Sequence, residues 1–157
     1  MKQKTKTMKQ KNKTMKQKTQ CERLKAHGAG LESISPKTPS EIFSEILRKK
    51  YSNFQEKFEV LVFDTSMRFI RSETIAAGSV SSTALDIATL FRVVFLCAGN
   101  NFIVAHNHPS GTLSPSAEDI QVTKHISDCA KMLRLNFLDH IIYSETGYLS
   151  LKTQGLF

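Results

Sequence analysis

Cysteine is scarce in this chain and poorly placed for the work it most often does. Cys21, Cys97 and Cys129 are odd in number and widely spaced, with no C-x-x-C pair among them. That excludes a disulfide framework and a cysteine-based zinc knuckle. Cys97 and Cys129 fall in apolar helical stretches and read as small buried hydrophobes; a reducing cytoplasm is the compartment such usage fits. Long apolar runs are missing too. The longest, near residues 93–98, is far short of the roughly 20 residues that cross a bilayer. The basic N-terminus is not followed by the apolar stretch of a secretory signal, so neither a membrane span nor export is expected. Acidic residues are absent from residues 1–20, which carry eight lysines.

That last absence locates the charge. The formal charge is +8, yet residues 21–157 contain fourteen Lys/Arg and fourteen Asp/Glu. The excess lies in the first twenty residues, and no basic stripe of the kind used to bind a duplex is evident in the rest. Residues 1–20 are a repeat: Met1-Lys-Gln-Lys returns at Met8 and again at Met15. The seven-residue period lacks the second apolar position per heptad that a coiled coil requires. Dense lysine with little apolar surface predicts an unstructured tail, able at most to touch nucleic acid weakly. A polar linker is expected over 21–38, and one domain, large enough for a core, over 39–157.

Within that domain the pattern predicts a short amphipathic helix over 40–50, with Ile42, Phe43, Ile46 and Leu47 on one face. Strands are expected over 58–64 and 69–76, joined by a turn at 65–68 in which Asp64 serves as a cap. Thr83 or Asp86 should cap an apolar helix through Leu96, stopped at Gly99-Asn100. A buried strand follows over 101–106. Ser114-Pro115 reads as N-cap and first position of a helix reaching about Arg134, and strands close the chain over 136–143 and 148–151. The fold class is α/β of the α+β type: a mixed, largely antiparallel sheet flanked by helices.

The chemistry concentrates in His106-Asn107-His108-Pro109, followed by Ser116 and Asp119. Side chains at i and i+2 of a strand share a side, so His106 and His108 converge on one ion without special geometry. A loop bends the chain at residues 109–111, and a helix beginning near Pro115 returns Asp119 on its first turns. Hydrolytic zinc sites use three protein ligands with water in the fourth place, and zinc lowers the pKa of that water to about 7. His106, His108 and Asp119 are therefore the expected ligands of Zn2+. Ser116 is placed to donate to the oxyanion of a tetrahedral intermediate, although serine at a helix start also caps for its own sake. Glu118 lies about 100° around the helix from Asp119. His27 and His125 read as core histidines. His140, beside Asp139, reads as part of a polar slot beneath the sheet, with orientation of the site as its other reading; Asn107 and Ser110 shape the loop.

The spacing His106-x-His108-x7-Ser116-x2-Asp119 resembles the JAMM (JAB, MPN+) metalloprotease signature. The longer string His106-Asn-His-Pro-Ser-Gly111, with Pro115-Ser116, Asp119 and later Leu138-Asp-His-Ile141, is similar to the RadC branch of that superfamily, over roughly residues 38–157. The resemblance implies a cytidine-deaminase-like JAB/MPN architecture and a glutamate general base on an upstream strand. Gln55-Glu56-Lys57-Phe58 matches the stretch that carries it, which implies Glu56, with Glu59 as the runner-up on the opposite side of the strand. RadC proteins often carry a helix-hairpin-helix region, and the segment before residue 40 is too short for one. Residues 78–86 look like those of short, mobile-element RadC relatives.

These residues and the resemblance lead to one expectation: a cytoplasmic zinc-dependent hydrolase of amide or isopeptide bonds in peptide or protein substrates. Its zinc-bound water is activated by Glu56. The alternatives are a DNA-repair-associated RadC-type protein, nuclease or accessory binder, and a catalytically silent metal-binding scaffold. One metal and a neutral domain favour acyl chemistry over a two-metal phosphate clamp.

Overall fold

The computed structural model describes residues 38–78 and 85–157. The lysine tail, His27, Cys21, Thr83 and all of the 21–38 linker but Thr38 lie outside them. Helix α1 (Pro39–Ile42) starts one residue before the expected position. Thr38 and Glu41 form a capping box around its proline start, a reciprocal arrangement that pairs two orphan donors. It runs on through a π turn (Phe43–Leu47) and a 3₁₀ turn (Arg48–Lys50). The other elements are β1 (Lys57–Phe63), β2 (Phe69–Ala77), α2 (Ile87–Leu96), β3 (Asn101–Asn107), α3 (Ala117–Met132), β4 (Asn136–Tyr143) and β5 (Tyr148–Ser150).

The strands form one sheet in the order β2-β1-β3-β4-β5, and every pair is antiparallel except β3 with β4. Helix α3 makes the crossover between those two parallel strands, the connection that a parallel pair needs. Alternation assigns the two faces. Phe58, Val60 and Val62 join Phe102 and Val104 under α2 and α3, against Leu90, Phe91, Val94, Val122 and Ile126. Leu61, Phe63, Ile103, Ala105, Ile141 and Tyr143 face the other way, onto Ile42, Ile46 and Leu47 of the first helical segment. Cover on both faces explains why β1 and β3 read as nearly unbroken apolar runs.

Helix α2 ends at Leu96 as expected, but its stop is built differently. In α2 the left-handed residue is Ala98 (φ 50°), not a glycine. Gly99 N–H returns to Val94 O at 3.1 Å and Ala98 N–H to Phe95 O at 3.0 Å, the paired bonds of a Schellman motif. Helix α3 ends at Met132 and closes in the same way through Arg134 (φ 55°), with Leu135 N–H on Ala130 O at 2.9 Å. Gly99 serves packing instead: a Cβ there would lie 2.1 Å from Val62 Cγ1. Gly99→Ala is expected to destabilise the protein by about 1–3 kcal/mol or more through overpacking, read as a lowered urea midpoint at unchanged slope.

Cys97 and Cys129 are half-buried against the core under α2 and α3. Asp64 does cap its turn, accepting from Ser66 N–H at 2.8 Å and Arg68 N–H at 2.9 Å. His125 is exposed and is not a core histidine. At 100° per residue it falls on the outer face of α3, while Val122 and Ile126 turn inward. No helix among the described residues is long and apolar enough to cross a membrane.

Candidate metal centre

Antiparallel register brings together residues fifty positions apart. Phe58 pairs with His106 across β1 and β3, and the same register carried two residues further sets Glu56 opposite His108. Glu56, His106 and His108 each offer a ligand atom, and all three atoms lie within 4.8 Å of one another. Helix α3 supplies the fourth group. Asp119 Oδ1 is 3.2 Å from His106 Nε2, and Asp119 Oδ2 is 3.8 Å from His108 Nε2.

Local structure explains why Asp119 points inward. Ser116, not Ser114, is the N-cap of α3, and Asp119 is its third residue, so the two form a capping box. Pro115 lies just outside the helix; a serine two positions on from Ser114, with an acid three residues beyond it, is the stronger start signal. Asp119 Oδ2 accepts from Ser116 N–H and from Ser116 Oγ, both at 2.7 Å. That tether leaves Oδ1 for the histidines. Half-burial by itself would raise the Asp119 pKa. The His106 ring and the Ser116 hydrogen bonds outweigh it and hold the carboxyl well below the ordinary 3.8. Glu118 is exposed and plays no part.

The histidine rings are also fixed from behind. His108 Nδ1 lies 2.6 Å from Thr112 O; a carbonyl only accepts, so Nδ1 donates to it and Nε2 is turned to the site. His106 is fully buried and stacks on Phe58, with centroids 5.9 Å apart and an interplanar angle of 11°. The two Nε2 atoms are 2.9 Å apart, close enough to serve one ion together. Two imidazoles with carboxylates beside them are the donor set of a hydrolytic zinc site, so the residues present fit that ion.

Glu59, the runner-up base, faces the other side of the sheet. It is buried there, with Lys50 Nζ at 2.6 Å and the Tyr143 hydroxyl donating at 2.9 Å. Burial, then the Glu59 charge, pushes the Tyr143 hydroxyl far above its usual 10.0. Asp139 and His140 do not share one slot either, because adjacent strand residues face opposite sides. Asp139 accepts from Ser150 Oγ at 2.5 Å and from Lys152 N–H at 3.1 Å. His140 faces the metal centre, 2.8 Å from His106 Nδ1. Its burial, and after that the neighbouring His106, hold its pKa well below 6.5.

Asn107 does more than shape the loop. Fully buried, it accepts from Lys57 N–H at 2.7 Å and donates to Ser52 O at 2.7 Å and Gln55 O at 3.0 Å. All three bonds grip the chain on either side of Glu56. A polar residue between two histidines on a buried strand was the available signal, since it points to the face opposite theirs. With Glu56 as the expected general base, Asn107→Ala would lower turnover on the order of 10²-fold by letting that residue drift, with zinc affinity little changed. Turnover measured beside chelator competition separates the two effects.

The chain matches the RadC-like JAB domain over residues 34–156. It belongs to the RadC-like JAB family. It is 35% identical over 126 residues to a UPF0758 protein of Staphylococcus haemolyticus, covering 80% of this chain and 55% of that one. A UPF0758 protein of Aquifex aeolicus is 38% identical over 138 residues, covering 86% and 58%. One from Methanosarcina barkeri is 34% identical over 118 residues, covering 75% and 52%. This RadC-like JAB chain therefore spans little more than half the length of the curated relatives it matches.

Proposed function

We propose that this RadC-like JAB domain is a zinc-dependent hydrolase that cleaves amide or isopeptide bonds in peptide or protein substrates. The observation that carries the reading is the convergence of His106, His108, Asp119 and Glu56 at one end of the β1–β3 pair. His106, His108 and Asp119 would hold the ion. A zinc ion there supplies Lewis-acid activation of a water molecule, lowering its pKa to about 7.

The chain's own residues supply the rest. Glu56, held by the Asn107 clamp, takes a proton from the attacking water and returns it to the leaving amine. Its half-exposed position lets it reach both solvent and the scissile bond. Ser116 steadies the oxyanion once its hydroxyl hydrogen turns away from Asp119 Oδ2. Asp119 keeps the Ser116 backbone N–H as its tether when that happens. The active protein works in the cytoplasm.

The test is a cleavage screen with the full chain on a library of linear and isopeptide-linked peptides, with single-stranded and duplex DNA alongside. New amine termini that form with zinc and cease with chelator support the reading. Cleavage of DNA with every peptide intact would overturn it.

A further inference from the structure

Behind the metal centre lies a buried relay that no step above uses. Thr123 on α3, His140 on β4 and His106 on β3 are each fully buried. Thr123 Oγ1 lies 2.5 Å from Asp119 O and 2.5 Å from His140 Nδ1, and His140 Nε2 lies 2.8 Å from His106 Nδ1. Phe58 packs edge-on against the His140 ring at 5.4 Å, so the ring has one orientation.

We propose that Thr123 and His140 are positioning residues that fix which nitrogen of His106 is bare, and so set metal affinity without touching the metal. The inference rests on the zinc-site reading and follows from hydrogen-bond polarity. A backbone carbonyl can only accept, so the Thr123 hydroxyl hydrogen is committed to Asp119 O. The hydroxyl oxygen then faces His140 Nδ1 as an acceptor, which places the His140 proton on Nδ1. His140 Nε2 is left with its lone pair and accepts from His106 Nδ1–H. With an ion taking the place of the hydrogen that His106 Nε2 would otherwise turn to Asp119 and His108, that nitrogen is bare, the form that binds a metal.

The relay also ties the two halves of the site together. Asp119 is a ligand through its side chain, while its carbonyl anchors the far end of the relay that readies His106. A hydroxyl at position 123 is therefore needed even though it does not face the ion. With valine there, His140 Nδ1–H would have no acceptor. The ring then favours its other tautomer, donates from Nε2 to His106 Nδ1, and drives the His106 proton onto Nε2, where it obstructs the ion.

The test compares zinc affinity, by chelator competition on the full chain, for wild type, Thr123→Val, Thr123→Ser, His140→Leu and His140→Gln. Thr123→Val and His140→Leu are expected to bind zinc about 10–100-fold more weakly, the range for lost outer partners of metal-bound histidines. Thr123→Ser keeps the hydroxyl, and His140→Gln keeps an acceptor where Nε2 was, so both should stay within a few-fold of wild type. Thr123→Val is nearly isosteric, which keeps the test valid should His140→Leu fail to fold. Nitrogen-15 histidine spectra of the zinc-loaded wild type should show His140 protonated at Nδ1 and bare at Nε2. A His140 protonated at Nε2, or a Thr123→Val protein that binds zinc like wild type, overturns the relay alone. A wild type that takes up no zinc overturns the metal reading and the relay with it.

Discussion

Glu56→Gln is expected to retain its zinc and lose turnover by about 10²–10⁴-fold, the usual contribution of a positioned general acid–base. The substitution is nearly isosteric. It preserves the backbone around position 56, where Gly78 N–H meets Glu56 O at 2.9 Å and Asn107 grips both flanks. What it removes is the ability to take up a proton. Both kcat and kcat/KM should fall together, because the group acts only as the proton moves. A Glu56→Gln protein that cleaved like wild type would move the base elsewhere. Glu59 could not inherit the role, since it is buried on the opposite face with Lys50 and Tyr143.

His108→Ala is expected to lose stoichiometric zinc. It removes one of the two Nε2 atoms held 2.9 Å apart and leaves only His106 and the carboxylates. His108 is partly exposed, and outside the site its ring bonds to Thr112 O, so the fold should survive its loss. A ligand that binds only the native state stabilises by about 2.7 kcal/mol at a hundredfold excess over its dissociation constant. Zinc should therefore raise the melting temperature of wild type and leave that of His108→Ala unmoved. An equal rise in both would mean that the ion binds elsewhere.

Much of this site was legible in the residues, and the parts that were not share a cause. His106 and His108 converge because strand residues alternate, and Asp119 returns because a loop of ordinary length leads into a helix. Glu56 came through resemblance; the physical reason, a register pairing Phe58 with His106, is a long-range fact that no local pattern carries. The strands read well because β1 and β3 are apolar throughout. That same uniformity hid the first helical segment's place on the face opposite α2 and α3.

Helix ends were less legible. Ser114-Pro115 resembles a start, yet the capping box of Ser116 and Asp119 prevailed. Ala98 and Arg134 occupy left-handed positions that favour glycine, because packing of the following strands overrides the local preference. His125 lies on an apolar stretch yet turns outward, and Asp139 and His140, as neighbours on a strand, face apart.

The most direct measurement is the zinc content of the full chain purified under zinc-replete conditions, wild type beside Glu56→Gln. The account predicts close to one zinc per chain in both, because it assigns proton transfer to Glu56 and the ion to His106, His108 and Asp119. A wild type without bound metal would contradict it.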